Sequence, residues 1–97
     1  MFVTIVEAEV EAERENDLLA AWSARTTTLP EGLIESSLLR GEHGAWRIVT
    51  VWESKDAVLA MRASGQPPAA LEMFEEAGAR PFASMWTVQG RVTAERG

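Results

Sequence analysis

Residues 33–53 read LIESSLLRGEHGAWRIVTVWE, and this stretch decides the fold. Its two halves, Leu33 to Arg40 and Ala45 to Glu53, are rich in aliphatic, aromatic and hydroxyl residues. Between them stand the four residues Gly41-Glu42-His43-Gly44. A short polar, glycine-containing segment between two such runs is typical of a β-hairpin. The sequence therefore predicts two antiparallel strands joined by a tight turn.

The second of these strands has apolar residues on both of its faces. Alternation places four residues on one face, Trp46, Ile48, Thr50 and Trp52, whereas Val49 and Val51 lie on the other. A strand that is apolar on both sides is typical of a covered position inside a sheet. We expect this strand to be central.

Working outward, the rest of the chain divides into two more strands and three helices. Phe2 to Val10 is a strand whose first five residues are apolar at almost every position. Three helices are predicted, one over about Glu11 to Thr28, one from Ser54 to Ser64-Gly65, and a short one from Pro67-Pro68 to Gly78. The last strand is predicted over Phe82 to Val92.

This order predicts one α+β domain over residues 1–97, with the ferredoxin-like succession β-α-β-β-α-β. Two strand-helix-strand halves with right-handed crossovers give a four-stranded antiparallel sheet with the helices on one face. The first and third strands lie in the middle. Because both are apolar on the face without helices, we expect a second copy of the chain to cover that face in a homodimer.

Composition excludes several classes of function. The net charge is -6, with no concentrated basic stripe, which argues against nucleic acid and anionic membranes as partners. The chain has no Cys, so disulfides, thiolate metal sites and cysteine nucleophiles are excluded. The N-terminal apolar run turns acidic after six residues and lacks the features of a signal peptide, so the expected location is the cytoplasm.

Three segments resemble a known family. They are Pro30-Glu31-Gly32-Leu33, Leu38-Leu39-Arg40 and the stretch Val49-Thr50-Val51-Trp52-Glu53-Ser54-Lys55-Asp56-Ala57. In this order they resemble the antibiotic biosynthesis monooxygenases, a family of dimeric α+β barrels. The resemblance implies a ligand cavity between helices and sheet, and an activity among cofactor-independent oxygenases or haem-degrading enzymes.

The haem-degrading branch of the family has three marker residues that this chain lacks. Counting from Trp52 places Met61 where that branch has a Trp and Leu71 where it has its iron-ligating His. The first strand contains no Asn. The resemblance therefore implies no cofactor, with haem disfavoured.

The candidate pocket is apolar. Four Trp without any Tyr indicate broad rings that suit a flat aromatic ligand, although core packing is the simpler explanation for such residues. Trp22, Trp52 and Trp86 lie on apolar stripes. The resemblance adds Met61 and Leu71, with Phe74 one turn further and Val6 on the first strand. The predicted pocket residues are Val6, Trp22, Trp52, Met61, Leu71, Phe74 and Trp86.

The sequence gives no catalytic residue. The single His, His43, stands in the glycine-flanked turn and is expected to be solvated. The alternating Glu7, Glu9, Glu11 and Glu13 are expected to form a solvated acidic rim, and no metal is predicted. Arg40 or Arg47 could stabilise an anion, but arginines on a hairpin are usually solvated.

Two functions stay open at this point. The first is a cofactor-independent monooxygenase acting on a small aromatic or polyketide-like molecule. The second is a non-catalytic dimer that binds a small apolar ligand or serves as an accessory subunit.

Overall fold

A computed structural model describes residues 1–65 and 68–94. Four strands are present, β1 (Phe2–Glu9), β2 (Leu33–Arg40), β3 (Ala45–Trp52) and β4 (Phe82–Thr87). A 3-10 turn at Ala12–Arg14 precedes α1 (Glu15–Arg25), and α2 (Lys55–Ala63) and α3 (Ala69–Glu76) follow β3. The strands form one antiparallel sheet in the order β2-β3-β1-β4. The predicted ferredoxin-like α+β fold, with β1 and β3 central, is confirmed.

Two elements end several residues earlier than predicted, and hydrogen bonding explains both. The first helix ends at Arg25 rather than Thr28, because the Thr26 and Thr27 hydroxyls donate to the carbonyls of Trp22 and Ala24 in the last turn. The last strand ends at Thr87 rather than Val92. Thr87 is paired with Phe2, the first residue of β1, so residues 89–94 have no strand beside them.

The short third helix begins at Ala69, directly after Pro68. Proline suits a position just before the first turn, where a backbone N–H has no helical partner. Pro67, the other residue of the predicted break, lies outside the described residues. Ser54 is the N-cap of α2, as predicted, and its hydroxyl accepts a hydrogen bond from the Ala57 amide at 3.3 Å.

The side of the sheet that faces the helices carries two separate cores. The larger lies toward the β2–β3 turn, where α1 and α3 pack on the sheet, and contains Leu18, Phe74, Ile48 and Trp46. The smaller lies at the other end, where Val58 of α2 packs on Phe2 and Trp52. The helices therefore cover the two ends of the sheet through different contacts.

The opposite side of the sheet, called here the open side, has no helix on it among the described residues. Val3 of β1 is paired with Val51 of β3 and with Trp86 of β4, and Ile5 is paired with Val49. Phe82 is 67% exposed and Trp86 is 56% exposed on this side. The predicted pattern, apolar on both faces of β1 and β3, is confirmed.

One glycine fixes the start of the hairpin strand. Gly32 has φ +85°, and a Cβ there would stand 2.5 Å from the Cβ of Ala57 on α2. Any side chain would meet both a strained backbone and a clash.

No helix among residues 1–65 and 68–94 is long and apolar enough to cross a membrane.

Candidate functional site

A cleft of about 820 Å³ lies between the helix-facing side of the sheet and all three helices. Its size is within the range of small-molecule sites. It opens between the two cores, because α1 and α3 contact one end of the sheet and α2 the other. Its floor is formed by side chains of the four strands, and its walls by the end of α1 with the loop after it, by α2 and by α3.

Five of the seven predicted pocket residues line this cleft. They are Val6, Trp22, Trp52, Met61 and Leu71. Val6 and Trp52 are buried in the floor, whereas Trp22, Met61 and Leu71 are half-buried walls from α1, α2 and α3. The structure thus brings together side chains from two strands and three helices. Whether they contact a ligand stays a prediction.

The other two residues lie elsewhere. Phe74 is 0% exposed and packs with Leu18 and Ala21 of α1 inside the larger core. Trp86 lies on the open side, opposite Val3, and its indole Nε1 donates to Ser84 Oγ at 2.9 Å. Strand alternation instead places Met85 and Ala83 of β4 in the cleft. The placement of Phe74 and Trp86 beside the other five needs correction for these reasons.

Trp46 is a core residue rather than the rim or interface residue that its position near the turn allows. It is buried, and its Nε1 donates to Glu15 Oε2 at 3.1 Å. The Arg40 guanidinium stands 5.8 Å from the ring centroid, within range of a cation–π interaction. The ring therefore joins the start of α1 to the hairpin.

The polar groups of the floor are hydroxyls. Trp52 Nε1 donates to Thr4 Oγ1 at 3.0 Å, and Ser36 Oγ and Thr50 Oγ1 lie 2.9 Å apart. Thr50 is only 6% exposed. Thr50 was expected on this face, but Thr4 and Ser36 were not singled out. Alternation along β1 and β2 is the signal that could have identified them.

Charged groups stand at the wall formed by α1 and α3. Arg25 pairs with Glu72 at 3.4 Å and also donates to Glu76. This hydrogen bond to Glu76 is the largest cause that raises the pKa of Arg25 above its usual value, so the guanidinium stays charged. Glu31 and Arg62 also line the cleft and are exposed. None of these charged residues was predicted from the sequence.

The single His and the alternating glutamates considered in the sequence lie outside the cleft. His43 is exposed in the turn with φ 56°, as expected of a solvated loop residue. Glu7 is ion-paired with Arg47 at 2.7 Å on the open side. In the part of the chain that the structure describes, no group of three or more His, Cys, Asp or Glu side chains could hold a metal ion.

A second hollow of about 670 Å³ lies near the β2–β3 turn. Its lining includes Arg47, Arg80 and Phe82, all exposed. It is more open than the cleft and is not enclosed by the three helices. The cleft is therefore the better candidate for binding a small molecule.

An open-faced antiparallel sheet with helices over one side, and an apolar cleft beneath them, defines a ferredoxin-like α+β domain with a cleft of the size of small-molecule sites. The chain belongs to the antibiotic biosynthesis monooxygenase family, whose profile matches residues 1–77. The resemblance found in the sequence is thereby confirmed. Among curated proteins, none matches the chain.

Solved structures with the same fold include enzymes of two kinds. One is the cofactor-independent oxygenase SnoaB from Streptomyces nogalater, here as its N63A mutant, with 20% identity, a TM-score of 0.64, and 96% and 97% of the two chains covered. Another is the monooxygenase ActVA-Orf6 of Streptomyces coelicolor in complex with nanaomycin D, with 18% identity, a TM-score of 0.71, and coverage of 97% and 92%. The haem degrader MhuD from Mycobacterium tuberculosis, with two haems bound, has 24% identity, a TM-score of 0.67, and coverage of 96% and 100%.

Among the side chains that usually hold haem iron, only methionine stands in the described lining of the cleft. Haem iron is commonly held by His, Cys, Tyr or Met. The chain has no Cys and no Tyr, and its single His is the exposed His43. The thioethers of Met61, Met73 and Met85 are the remaining candidates in the described lining. The similarity to MhuD keeps haem a question for experiment.

Proposed function

We propose that the chain is a cofactor-independent monooxygenase that oxidises a small aromatic or polyketide-like molecule in the cleft. Membership of the family supports the class of reaction. The observation that carries the proposal is the cleft itself, a hollow of suitable size with Trp22, Trp52, Met61 and Leu71 around it. Broad apolar rings favour a flat aromatic ligand.

In such a reaction the substrate itself supplies the electrons. An anthrone-type phenol that has lost a proton from its CH2 carbon has a carbanion that reduces dioxygen at that carbon. One oxygen atom replaces the two hydrogens as a carbonyl, and the other leaves as water. The protein has to exclude bulk water and to stabilise the anion with hydrogen-bond donors. In this proposal the floor hydroxyls supply the donors.

The test is oxygen uptake by purified, metal-free protein with a panel of anthrone-type phenols. Uptake above the buffer rate is expected for at least one of them. Leu71→Trp, which fills the cleft from the α3 wall, should abolish it. Leu19→Trp is the matched control, because Leu19 is exposed on α1 and outside the cleft lining. The absence of uptake across the panel would reject the proposal.

A second candidate is a non-catalytic ligand-binding or accessory protein that uses the same cleft. Its support is the lack of a free base in the interior: the carboxylates of the described lining are Glu31, which is exposed, and Glu72, which pairs with Arg25. This candidate predicts quenching of Trp fluorescence by aromatic ligands without oxygen uptake. Turnover of any bound compound would exclude it.

We further propose that the working form is a homodimer joined through the open sides of two sheets. Val3, Val51 and Trp86 form a contiguous apolar surface there, and Phe82 extends it. An exposed apolar patch of this kind usually marks an interface, and a two-fold axis lets the same patch cover itself. The cleft lies on the other side of the sheet, so each subunit keeps its own.

A further inference from the structure

Three hydroxyl side chains lie side by side across the floor of the cleft. Thr50 of β3 is paired with Thr4 of β1 on one side and with Ser36 of β2 on the other. Directly paired residues of neighbouring strands point to the same face of a sheet, so the three side chains form one row across it. All three line the cleft, and we call them the hydroxyl row.

On β1, β2 and β3 the rows of the sheet on either side of the hydroxyl row are apolar. One consists of Leu33, Trp52 and Phe2, and the other of Leu38, Ile48 and Val6. Valine has nearly the shape of threonine, and replacing both partners of a hydrogen bond with apolar groups of the same shape can be almost neutral for stability. The sheet itself therefore does not require hydroxyls at this level.

The hydrogen bonds within the row leave two hydroxyl hydrogens free. Thr4 Oγ1 accepts from Trp52 Nε1, so its own hydrogen stays available. Ser36 and Thr50 share one hydrogen bond, in which one hydroxyl donates and the hydrogen of the other remains. Among the described residues neither hydrogen has an acceptor. The row thus presents two uncharged donors to the cleft.

We propose that the hydroxyl row binds a carbonyl or phenolic oxygen of the ligand, and so restricts the cleft to flat aromatic molecules that carry such an oxygen on one edge. The inference rests on the proposed function, because it names the substrate class of the same cleft. A pure hydrocarbon would exclude water from the Thr50 hydroxyl without offering an acceptor. Sites built to hydrogen-bond a ligand discriminate strongly against analogues that lack the partner group.

The test compares the binding of 1,4-naphthoquinone and naphthalene by equilibrium dialysis. The two compounds share a carbon frame and differ in the oxygens, and the absence of Cys removes the thiols that would consume a quinone. The double variant Ser36→Ala/Thr50→Val removes the shared hydroxyl pair. Ser23→Ala is the matched control, since it also removes a hydroxyl but Ser23 is exposed on α1 and lies outside the cleft lining.

The unaltered protein should bind the quinone about tenfold more tightly than naphthalene, as one or two neutral hydrogen bonds would give. In the double variant, which keeps the Thr4 donor, the dissociation constant of the quinone should rise about three- to fivefold, and that of naphthalene should change less than about twofold. Ser23→Ala should leave both constants within about twofold. Should the double variant not fold by circular dichroism, Thr4→Val, which removes the other free donor of the row, takes its place, with an expected rise of about threefold.

A quinone preference that the double variant leaves undiminished would overturn the inference, and so would an unaltered protein without any preference. Either result leaves the proposed oxygenase function in place. Binding of neither compound would reject the inference together with the ligand site. A preference that depends on the row, combined with no oxygen uptake from any phenol, would support the inference and count against catalysis.

Discussion

Replacement of Phe74 by alanine separates a core role from a ligand-binding role for this side chain. Phe74 is fully enclosed between α1, α3 and the sheet, where it packs with Leu18 and Ala21. Truncation of a buried Phe to Ala typically costs about 3–5 kcal/mol, because apolar contacts are lost and a cavity remains. Arg14 donates to the Glu76 carbonyl, and Arg25 pairs with Glu76, so the two helices are held in place and the cavity cannot readily collapse.

The expected loss for Phe74→Ala is therefore in the upper part of that range, about 4 kcal/mol of the free energy of unfolding. For a domain of about 100 residues this corresponds to a fall in Tm of roughly 15–30 °C. Urea denaturation followed by circular dichroism measures it, at one protein concentration for all variants so that any association affects them alike. Leu71→Ala, three residues earlier on α3, removes a half-buried cleft wall and should cost only about 1 kcal/mol.

In ligand binding the order of the two positions should be reversed, with position 71 sensitive to substitution and position 74 insensitive. Leu71→Ala should weaken the binding of naphthoquinone, whereas Phe74→Leu, which keeps the core filled, should leave it unchanged. A loss of less than about 1.5 kcal/mol for Phe74→Ala, together with a lower ligand affinity, would refute the assignment of Phe74 to the core. In that case Phe74 would contact the ligand, as its spacing from Leu71 predicted.

Two further predictions concern the open side and the hairpin. Light scattering should give the protein a mass of about 21 kDa, twice the 10.6 kDa of one chain. Trp86→Glu should reduce this mass to that of the monomer, whereas Leu19→Glu on α1 should not. A monomeric parent protein would refute the dimer. Gly32→Ala should destabilise the chain by about 2–3 kcal/mol, and Gly65→Ala by roughly 1 kcal/mol. Both glycines have a positive φ, but only a Cβ at Gly32 would clash with Ala57. Equal losses in thermal denaturation would show that the clash is relieved.

Much of the fold follows from local patterns. The glycine-flanked turn at residues 41–44 and the alternation in Ala45–Trp52 gave the hairpin, with β2 bounded as predicted and β3 one residue shorter. The serine cap at position 54 gave the start of α2. These signals are readable in sequence because each depends on residues within a few positions of one another.

The candidate site was predicted in part. Val6, Trp22, Trp52, Met61 and Leu71 do line one cleft, but helical spacing could not separate Leu71 from Phe74, since both lie on the same face of α3. Which of the two meets the cleft depends on where α1 crosses α3. Trp86 was misplaced because period-2 alternation gives two faces without stating which of them the helices cover.

The sequence by itself determined the order of the elements, the central positions of β1 and β3, and the apolar character of both sides of the sheet, because these properties depend on local periodicity and turn chemistry. Only the tertiary structure decided which side holds the cleft, that Phe74 is core and Trp86 is outside, and that Thr4, Thr50 and Ser36 stand in one row. Those three residues are far apart in the chain and become neighbours only through the strand register, which the sum of long-range packing sets.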